Sequence, residues 1–392
     1  MSIKKYKNQF LGLFWYSIAM LIRPFFKVKN NRIFCWSYNF TKYACNPRAI
    51  TEYILENAPE EYEVYWAFDS KNIPDELDRR IHVVKKHSFQ HMAALYTSKF
   101  VITNARNNKY DSLFGKKRNQ KYIMTWHGSI GNKPIEKDVE ETLNPRYKRM
   151  AIKDSEICDL MLSNCMRFTQ QIRRAFWYDG EILEKCSPRN DAYYNTEYIN
   201  QTYYRVRKEL GFNDNAKIVL YAPTFRNNST DLKFYRINWT NIIPSLENLL
   251  GGEVEVLVKL HPNMNNNPDI DSLVNYPHTH NVTRASDIQD FMLAADAMIS
   301  DYSSTMFDFA LLRKPCFTYA VDKESYDRGG YFPIEQLPFP VAENETQLQE
   351  CIENFSSDNY LEKVNDCFSN LFGLEEDGNS SQRLLAWIRN NT

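Results

Sequence analysis

Short apolar runs alternate with amphipathic stretches along most of this chain. Runs at 32–36, 63–68, 81–84, 100–103, 122–126 and 160–163 are four to six residues long and rich in β-branched and aromatic side chains, which predicts strands. Between them the 3.6-residue period predicts helices from Pro47 to Asn57, over about 88–96, and up to about Phe176. Pro47 suits a first helical turn, where its missing N–H costs nothing. The rhythm restarts near residue 201 with a polar helix over 201–210. Strands at 217–221, 254–258, 297–299 and 316–319 follow, with helices near 240–250, 287–295, 306–312, 346–354, 358–371 and 380–390. Strands alternating with helices predict parallel sheets covered on both faces. Two Rossmann-like halves are therefore expected, over 31–200 and 201–392, behind a distinct segment at 1–30.

Composition sharpens that first segment. Among 392 residues, 43% are hydrophobic and 14% aromatic, as a folded globular chain requires. The net charge of −1 gives no support for a nucleic-acid partner. Residues 1–32, however, carry seven Lys or Arg and no acid. Inside them lies an apolar run of 13 residues, 10–22, too short to span a bilayer as a helix. A signal peptide would need a small-residue cleavage site, which Arg23-Pro24-Phe25-Phe26 does not supply. A buried core helix remains open. An interfacial helix fits better, with Trp15 and Tyr16 at the headgroups and lysines on anionic lipid. The eight cysteines show neither CxxC pairs nor zinc spacing, and read as reduced core thiols of a cytosolic protein.

Candidate chemistry gathers just after predicted strands, where open α/β sheets bind ligands. Trp126-His127-Gly128-Ser129 follows one strand, and His127 is suited to take a proton near neutral pH. Taken alone, it could equally be a structural histidine. Arg189 sits in the loop Ser187-Pro188-Arg189-Asn190-Asp191 and could contact phosphate bidentately; an ordinary polar turn is the alternative. Tyr221-Ala222-Pro223-Thr224-Phe225-Arg226 puts a hydroxyl and a cation at a strand end. Lys259-Leu260-His261-Pro262 puts a cation and a histidine at another, where a surface pair is the alternative. Ile299-Ser300-Asp301-Tyr302-Ser303-Ser304-Thr305 brings three hydroxyls to a predicted helix start, a seat for phosphate unless Ser303 or Ser304 is merely a cap. Asp308, one turn on, is either an acceptor for a substrate hydroxyl or a solvated first-turn acid. Asp269-Ile270-Asp271 is the only acid-x-acid triplet resembling a nucleotide-sugar metal site; it lies in a polar loop, and no metal is assigned. Glycine-rich dinucleotide and P-loop patterns and the GxSxG elbow are absent.

Taken in order, Tyr43…Asn46-Pro47-Arg48-Ala49-Ile50, Trp126-His127-Gly128, Pro188-Arg189-Asn190-Asp191, Tyr221 to Arg226, Lys259 to Pro262 and Ser300 to Asp308 resemble the CDP-glycerol glycerophosphotransferase family of teichoic acid and related polymer synthesis. The resemblance implies a GT-B-like α/β fold: two Rossmann-like domains facing across a cleft, with an N-terminal membrane-surface helix. It implies a peripheral enzyme on the cytoplasmic face of the membrane. That enzyme would transfer glycerol phosphate, or a related polyol phosphate, from a CDP-activated donor to a lipid-linked surface-polymer acceptor, releasing CMP and using no cofactor. Its donor site would comprise Trp126, His127, Gly128, Ser129, Ile130, Arg189, Pro223, Thr224, Arg226, Lys259, Leu260, His261, Ser303, Ser304 and Asp308. His127 and His261 would be catalytic, with His127 as base.

One departure stands out. Better-known members continue Trp-His-Gly as Thr-Pro, whereas here Ser129-Ile130-Gly131 follows. A CDP-ribitol donor therefore stays open, as does a GT-B glycosyltransferase using a nucleotide sugar. A membrane scaffold with a vestigial site is disfavoured, because it would not need His127, Arg189, His261 and the Ser303/Ser304 pair together.

Overall fold

A computed structural model describes residues 13–15, 17–69, 71, 73–74, 77–107, 115–128, 130–226, 232–264, 267–285, 287–326 and 329–392. Residues 10–12 and Tyr16 of the apolar N-terminal run, and Ser129, thus lie outside the described residues, whereas 13–15 and 17–22 are helical.

The chain forms two compact units. The first comprises 1–128, 135–191 and 374–392; the second comprises 129–134 and 192–373. In the first, β1 (Lys29–Trp36), β2 (Glu63–Phe68), β3 (His82–Lys85), β4 (Ser98–Thr103), β5 (Lys121–Met124), β6 (Leu160–Leu162) and β7 (Glu181–Leu183) form one sheet in the order β3-β2-β1-β4-β5-β6-β7. In the second, β8 (Lys217–Tyr221), β9 (Val254–Val258), β10 (Thr279–Asn281), β11 (Ala297–Ser300), β12 (Cys316–Tyr319) and β13 (Val341–Ala342) form another, ordered β10-β9-β8-β11-β12-β13. The strand pairings in both sheets are parallel. The central strands are buried on both faces, so they read as continuous apolar runs: Ile33, Phe34 and Cys35 in β1, and Ile218, Val219 and Leu220 in β8, are wholly inaccessible.

Two expectations about domain limits change. The first boundary falls at 191/192 rather than at 200/201. The last 19 residues, expected in the second domain, return to the first unit. The cause is the apolar face of helix Ser380–Asn390. Leu384, Leu385, Trp387 and Ile388 pack into the core with Ile50, Ile54 and Phe100. Burial of side chains this size is worth about 1.5–3 kcal/mol each. The return is pinned at its start, where the Asp191 carboxylate accepts the N–H groups of Ser380 (2.9 Å) and Ser381 (2.7 Å).

None of the eight cysteines forms a disulfide with another described cysteine. Among the described residues no helix is long and apolar enough to cross a membrane.

Candidate active site

In the first unit the site grows from the end of β5. Trp126 turns the chain with φ +54°, and its ring packs on His127 (4.6 Å between centroids) and Phe176 (4.9 Å). Behind Phe176 lies a buried ionic network. Arg106 Nη2 donates to Glu136 (3.1 Å) and to the Phe176 carbonyl (3.3 Å), while Nη1 donates to Asp154 (3.3 Å) and Ser155 (2.8 Å). Burial pushes the Asp154 carboxyl up to about 6, against the opposing pull of Arg106.

His127 is half-buried, with Nδ1 2.7 Å from the Asn104 carbonyl oxygen. A carbonyl only accepts, so Nδ1 carries the proton and Nε2 keeps its lone pair. Burial lowers the imidazole's pKa and the Arg189 cation lowers it further, against the raising effect of the Asn104 hydrogen bond. His127 is thus neutral and ready to accept a proton near neutrality. Gly128 leaves room beside Trp126, whose Nε1 would lie 3.4 Å from an added Cβ. Ile130, after the undescribed Ser129, is buried with φ +53°, a conformation that strains a β-branched residue.

Arg189 reaches the same region through a residue that the sequence reading left out of the site. Asn46 Oδ1 accepts the Arg189 N–H (3.0 Å), while its Nδ2 donates to the carbonyls of Trp126 (3.3 Å) and Thr125 (3.4 Å). Asn46 is buried and ties the histidine turn to the arginine loop. Its place beside Pro47 in the ordered motif series was the available signal.

In the second unit the tips of β8 and β11 are bound together by Asp301, another residue outside the expected set. Its buried carboxylate accepts the Thr224 N–H (2.8 and 3.0 Å) and a guanidinium N–H of Arg226 (2.8 Å). Ser300 Oγ donates to the Ala222 carbonyl at 2.6 Å. Pro223 lies within this clamped turn. Thr224 Oγ1 is buried and has no hydrogen-bond partner among the described residues.

Arg226, expected at the donor site, is tied into this turn. It grips Asp322 through Nε (2.7 Å) and Nη2 (2.8 Å), and Nη1 also donates to the Thr224 carbonyl at 2.6 Å. Its guanidinium also lies 5.1 Å from the Tyr302 ring and 5.2 Å from the Tyr326 ring. It thereby holds the turn together. Lys259 is similarly buried, with Nζ donating to the carbonyls of Thr283 (2.9 Å) and Ala285 (2.7 Å). Leu260 is buried too, and its N–H donates to Thr283 Oγ1 at 3.1 Å.

His261 is exposed and its ring stacks on Phe225 at 5.1 Å. Its Nδ1 accepts the Asn263 N–H at 3.2 Å, which puts the ring proton on Nε2. His261 therefore presents a donor where His127 presents an acceptor. At the β11 turn, Ser303 Oγ meets Thr305 Oγ1 (2.8 Å) and accepts the Thr305 N–H (3.3 Å), whereas Ser304 makes no side-chain cap. The helix that follows, Thr305–Ala310, has only six residues. Few peptide dipoles align there, so the hydroxyls matter more than the helix start. Asp308 is buried, which removes the reading of a solvated first-turn acid.

Asp271 of the acid-x-acid triplet accepts from Asn281 at 2.7 Å. Glu253, Glu255 and His278 bring possible ligand atoms within 4.8 Å of one another, but at the start of β9, the end opposite Lys259 and His261.

Two parallel α/β units, with a proton acceptor at one strand tip and hydroxyl and imidazole donors at others, define a GT-B-like group-transfer enzyme. Residues 17–390 match the family described as CDP-Glycerol:Poly(glycerophosphate) glycerophosphotransferase, and the chain belongs to that family. It is 30% identical over 397 residues to the teichoic acid poly(glycerol phosphate) polymerase of Bacillus spizizenii (strain ATCC 23059 / NRRL B-14472 / W23), covering 98% of each chain. It is 29% identical to the teichoic acid glycerol-phosphate transferase of Staphylococcus aureus (strain NCTC 8325 / PS 47), covering 97% of this chain and 99% of the other. It spans only about half (52%) of the Bacillus subtilis (strain 168) poly(glycerol phosphate) polymerase. A solved structure of the wall teichoic acid polymerase TagF soaked with CDPG superposes with a TM-score of 0.81 at 26% identity, covering 100% of this chain and 98% of that one.

Proposed function

We propose that this chain transfers glycerol phosphate from CDP-glycerol to a hydroxyl of a lipid-linked surface-polymer acceptor. The observation that carries the reading is the His127 tautomer, which leaves Nε2 to accept a proton, together with membership of the family. His127 Nε2 takes the acceptor hydroxyl's proton as that oxygen attacks the β-phosphorus. The bond from the β-phosphorus to the bridging oxygen breaks, and CMP leaves with the bonding pair. To His261 Nε2–H, Arg189 and the Ser303 and Ser304 hydroxyls we assign stabilisation of the charge that develops. Thr224 Oγ1 supplies a further donor, and Asp308 accepts from a donor hydroxyl. Arg226 and Lys259 hold these groups in place. No metal or cofactor is assigned a part.

The enzyme works at the cytoplasmic face of the membrane as a peripheral protein. Leu13, Phe14, Leu21 and Phe25 are large apolar side chains left exposed in and just after the N-terminal helical residues. Such a face, next to the basic N-terminus, suits an anionic lipid surface. Deleting residues 1–30 is expected to move the protein from the membrane pellet to the soluble fraction; unchanged sedimentation overturns this part.

The reaction is tested by incubating the protein with a lipid-linked acceptor and CDP-glycerol, CDP-ribitol or nucleotide sugars. Acceptor-dependent CMP release from CDP-glycerol is expected. Release of CMP from CDP-ribitol alone changes the polyol, and turnover of a nucleotide sugar alone overturns the reading.

A further inference from the structure

Beside Ser303 the second unit holds a cavity of about 450 Å³, within the range of small-molecule sites. Its lining includes Tyr302, Tyr326, Tyr331 and Phe332, with Asn132 and Lys133 from the segment after the histidine turn. The sheet order gives it a distinct address. Thr224 follows β8 and His261 follows β9, and both strands lie on one side of β11. The cavity draws instead on the segments following β12, on the other side. A donor running from the β9 tip to the β11 turn would reach Ser303 at the cavity's edge.

The cavity is built for a hydroxylated ligand. Asn132 Oδ1 is buried and has no hydrogen-bond partner among the described residues. Leaving such an acceptor unpaired is unfavourable, and a ligand hydroxyl would relieve it. The Asn132 segment is held in place, since its carbonyl accepts the Tyr331 N–H at 2.8 Å. Gly330 permits this approach: an added Cβ would lie 3.1 Å from Asn132 Nδ2 and 3.2 Å from the Phe332 carbonyl. Aromatic walls suit the C–H edges of a polyol, and Lys133 places a cation in the lining for a phosphate, while Lys323 there is paired with Glu335 and Glu343.

We propose that this cavity holds the terminal polyol-phosphate unit of the acceptor, an inference that rests on the transfer reaction above. Ile334 lines the cavity and has no part in the donor machinery. Ile334→Trp should fill the cavity, and Asn132→Ala should remove its polar contact. The probes are glycerophosphoglycerol, followed by saturation-transfer NMR on the full chain, and a short-lipid acceptor ending in glycerol phosphate. Ile334→Trp is expected to abolish the NMR signal and raise the acceptor KM at least tenfold, with the Kd for CDP-glycerol unchanged within twofold; Asn132→Ala should raise that KM severalfold. An unchanged acceptor KM and NMR signal in both folded variants, confirmed by circular dichroism, overturns the proposal. So does a tenfold weaker Kd for CDP-glycerol with acceptor binding intact, which would give the cavity to the donor. If the wild type binds glycerophosphoglycerol and Ile334→Trp does not, yet no CMP is released, the cavity assignment stands and the reaction reading falls.

Discussion

The Nδ1–H of His127 donates to the carbonyl oxygen of Asn104 at 2.7 Å, and this one bond fixes which ring nitrogen can act as a base. Because the partner is a backbone carbonyl, side-chain substitution at 104 leaves the acceptor in place. His127→Ala is expected to lower turnover a hundredfold or more, on the scale of a lost general base. The pH profile carries more information. Burial and Arg189 both disfavour the imidazolium, so His127 protonates below the ordinary histidine value of about 6.5. The acid limb of kcat/KM should therefore fall below 6.5, and Arg189→Met should shift its midpoint upward. An acid limb above 6.5 in the wild type would remove His127 as the base.

Asn46 makes no proposed contact with substrate, yet it holds both the Trp126 carbonyl and the Arg189 N–H. Asn46→Ala should leave that N–H without its partner and cost about 1–3 kcal/mol of stability. Turnover should fall further than the folded fraction does, with the acid limb moving as Arg189 shifts from His127. Equal losses of activity and folded fraction would mark Asn46 as a purely structural residue.

Arg226 separates two roles by experiment. If it contacted phosphate, Arg226→Met would weaken CDP-glycerol binding and spare stability. In the structure it compensates two buried carboxylates, Asp301 and Asp322. Removing one partner of a buried ionic group costs about 3–5 kcal/mol, so a large fall in the urea unfolding midpoint is expected. Arg226→Lys should rescue little, because an ammonium cannot reproduce the paired N–H contacts to Asp322. A wild-type midpoint with weakened donor binding would restore the contact role.

The sequence exposed the strand tips well, because turn residues there interrupt apolar runs. It could not show where side chains at those tips are already spent. Lys259 looks available beside His261 until the sheet brings the carbonyls of Thr283 and Ala285 to its ammonium. Strands β7, β10 and β13 escaped notice because, unlike the three apolar residues of β6, each holds at most two apolar residues. Helix Pro145–Ile157 was missed although Asn144 and Pro145 mark its start, with Asn144 accepting the Arg146 N–H. The amphipathic pattern at 380–390 announced a buried face but not whose core it enters. That depends on Asp191, 189 residues away from Ser380 in sequence.

His91 offers a test of the fold that is independent of catalysis. Its ring is buried against Phe34 (5.4 Å between centroids) and Phe40 (5.6 Å), and neither nitrogen has a hydrogen-bond partner among the described residues. Burial lowers its pKa to about 3, with His87 and Lys86 adding to the fall. His91 is thus neutral in the fold and gains a proton on unfolding once the pH drops below about 6.5, its ordinary value. The native state is favoured by this group above that pH, and the benefit drains away toward pH 3 by up to about 1.4 kcal/mol per pH unit. His91→Phe keeps the ring packing and removes two unpaired polar atoms, so it should raise stability at neutral pH. Its larger effect should appear in acid: plotted against pH, the variant's unfolding free energy should decline less steeply between 6.5 and 3 than the wild type's. Parallel slopes in the two proteins would show that His91 is already protonated in the folded state.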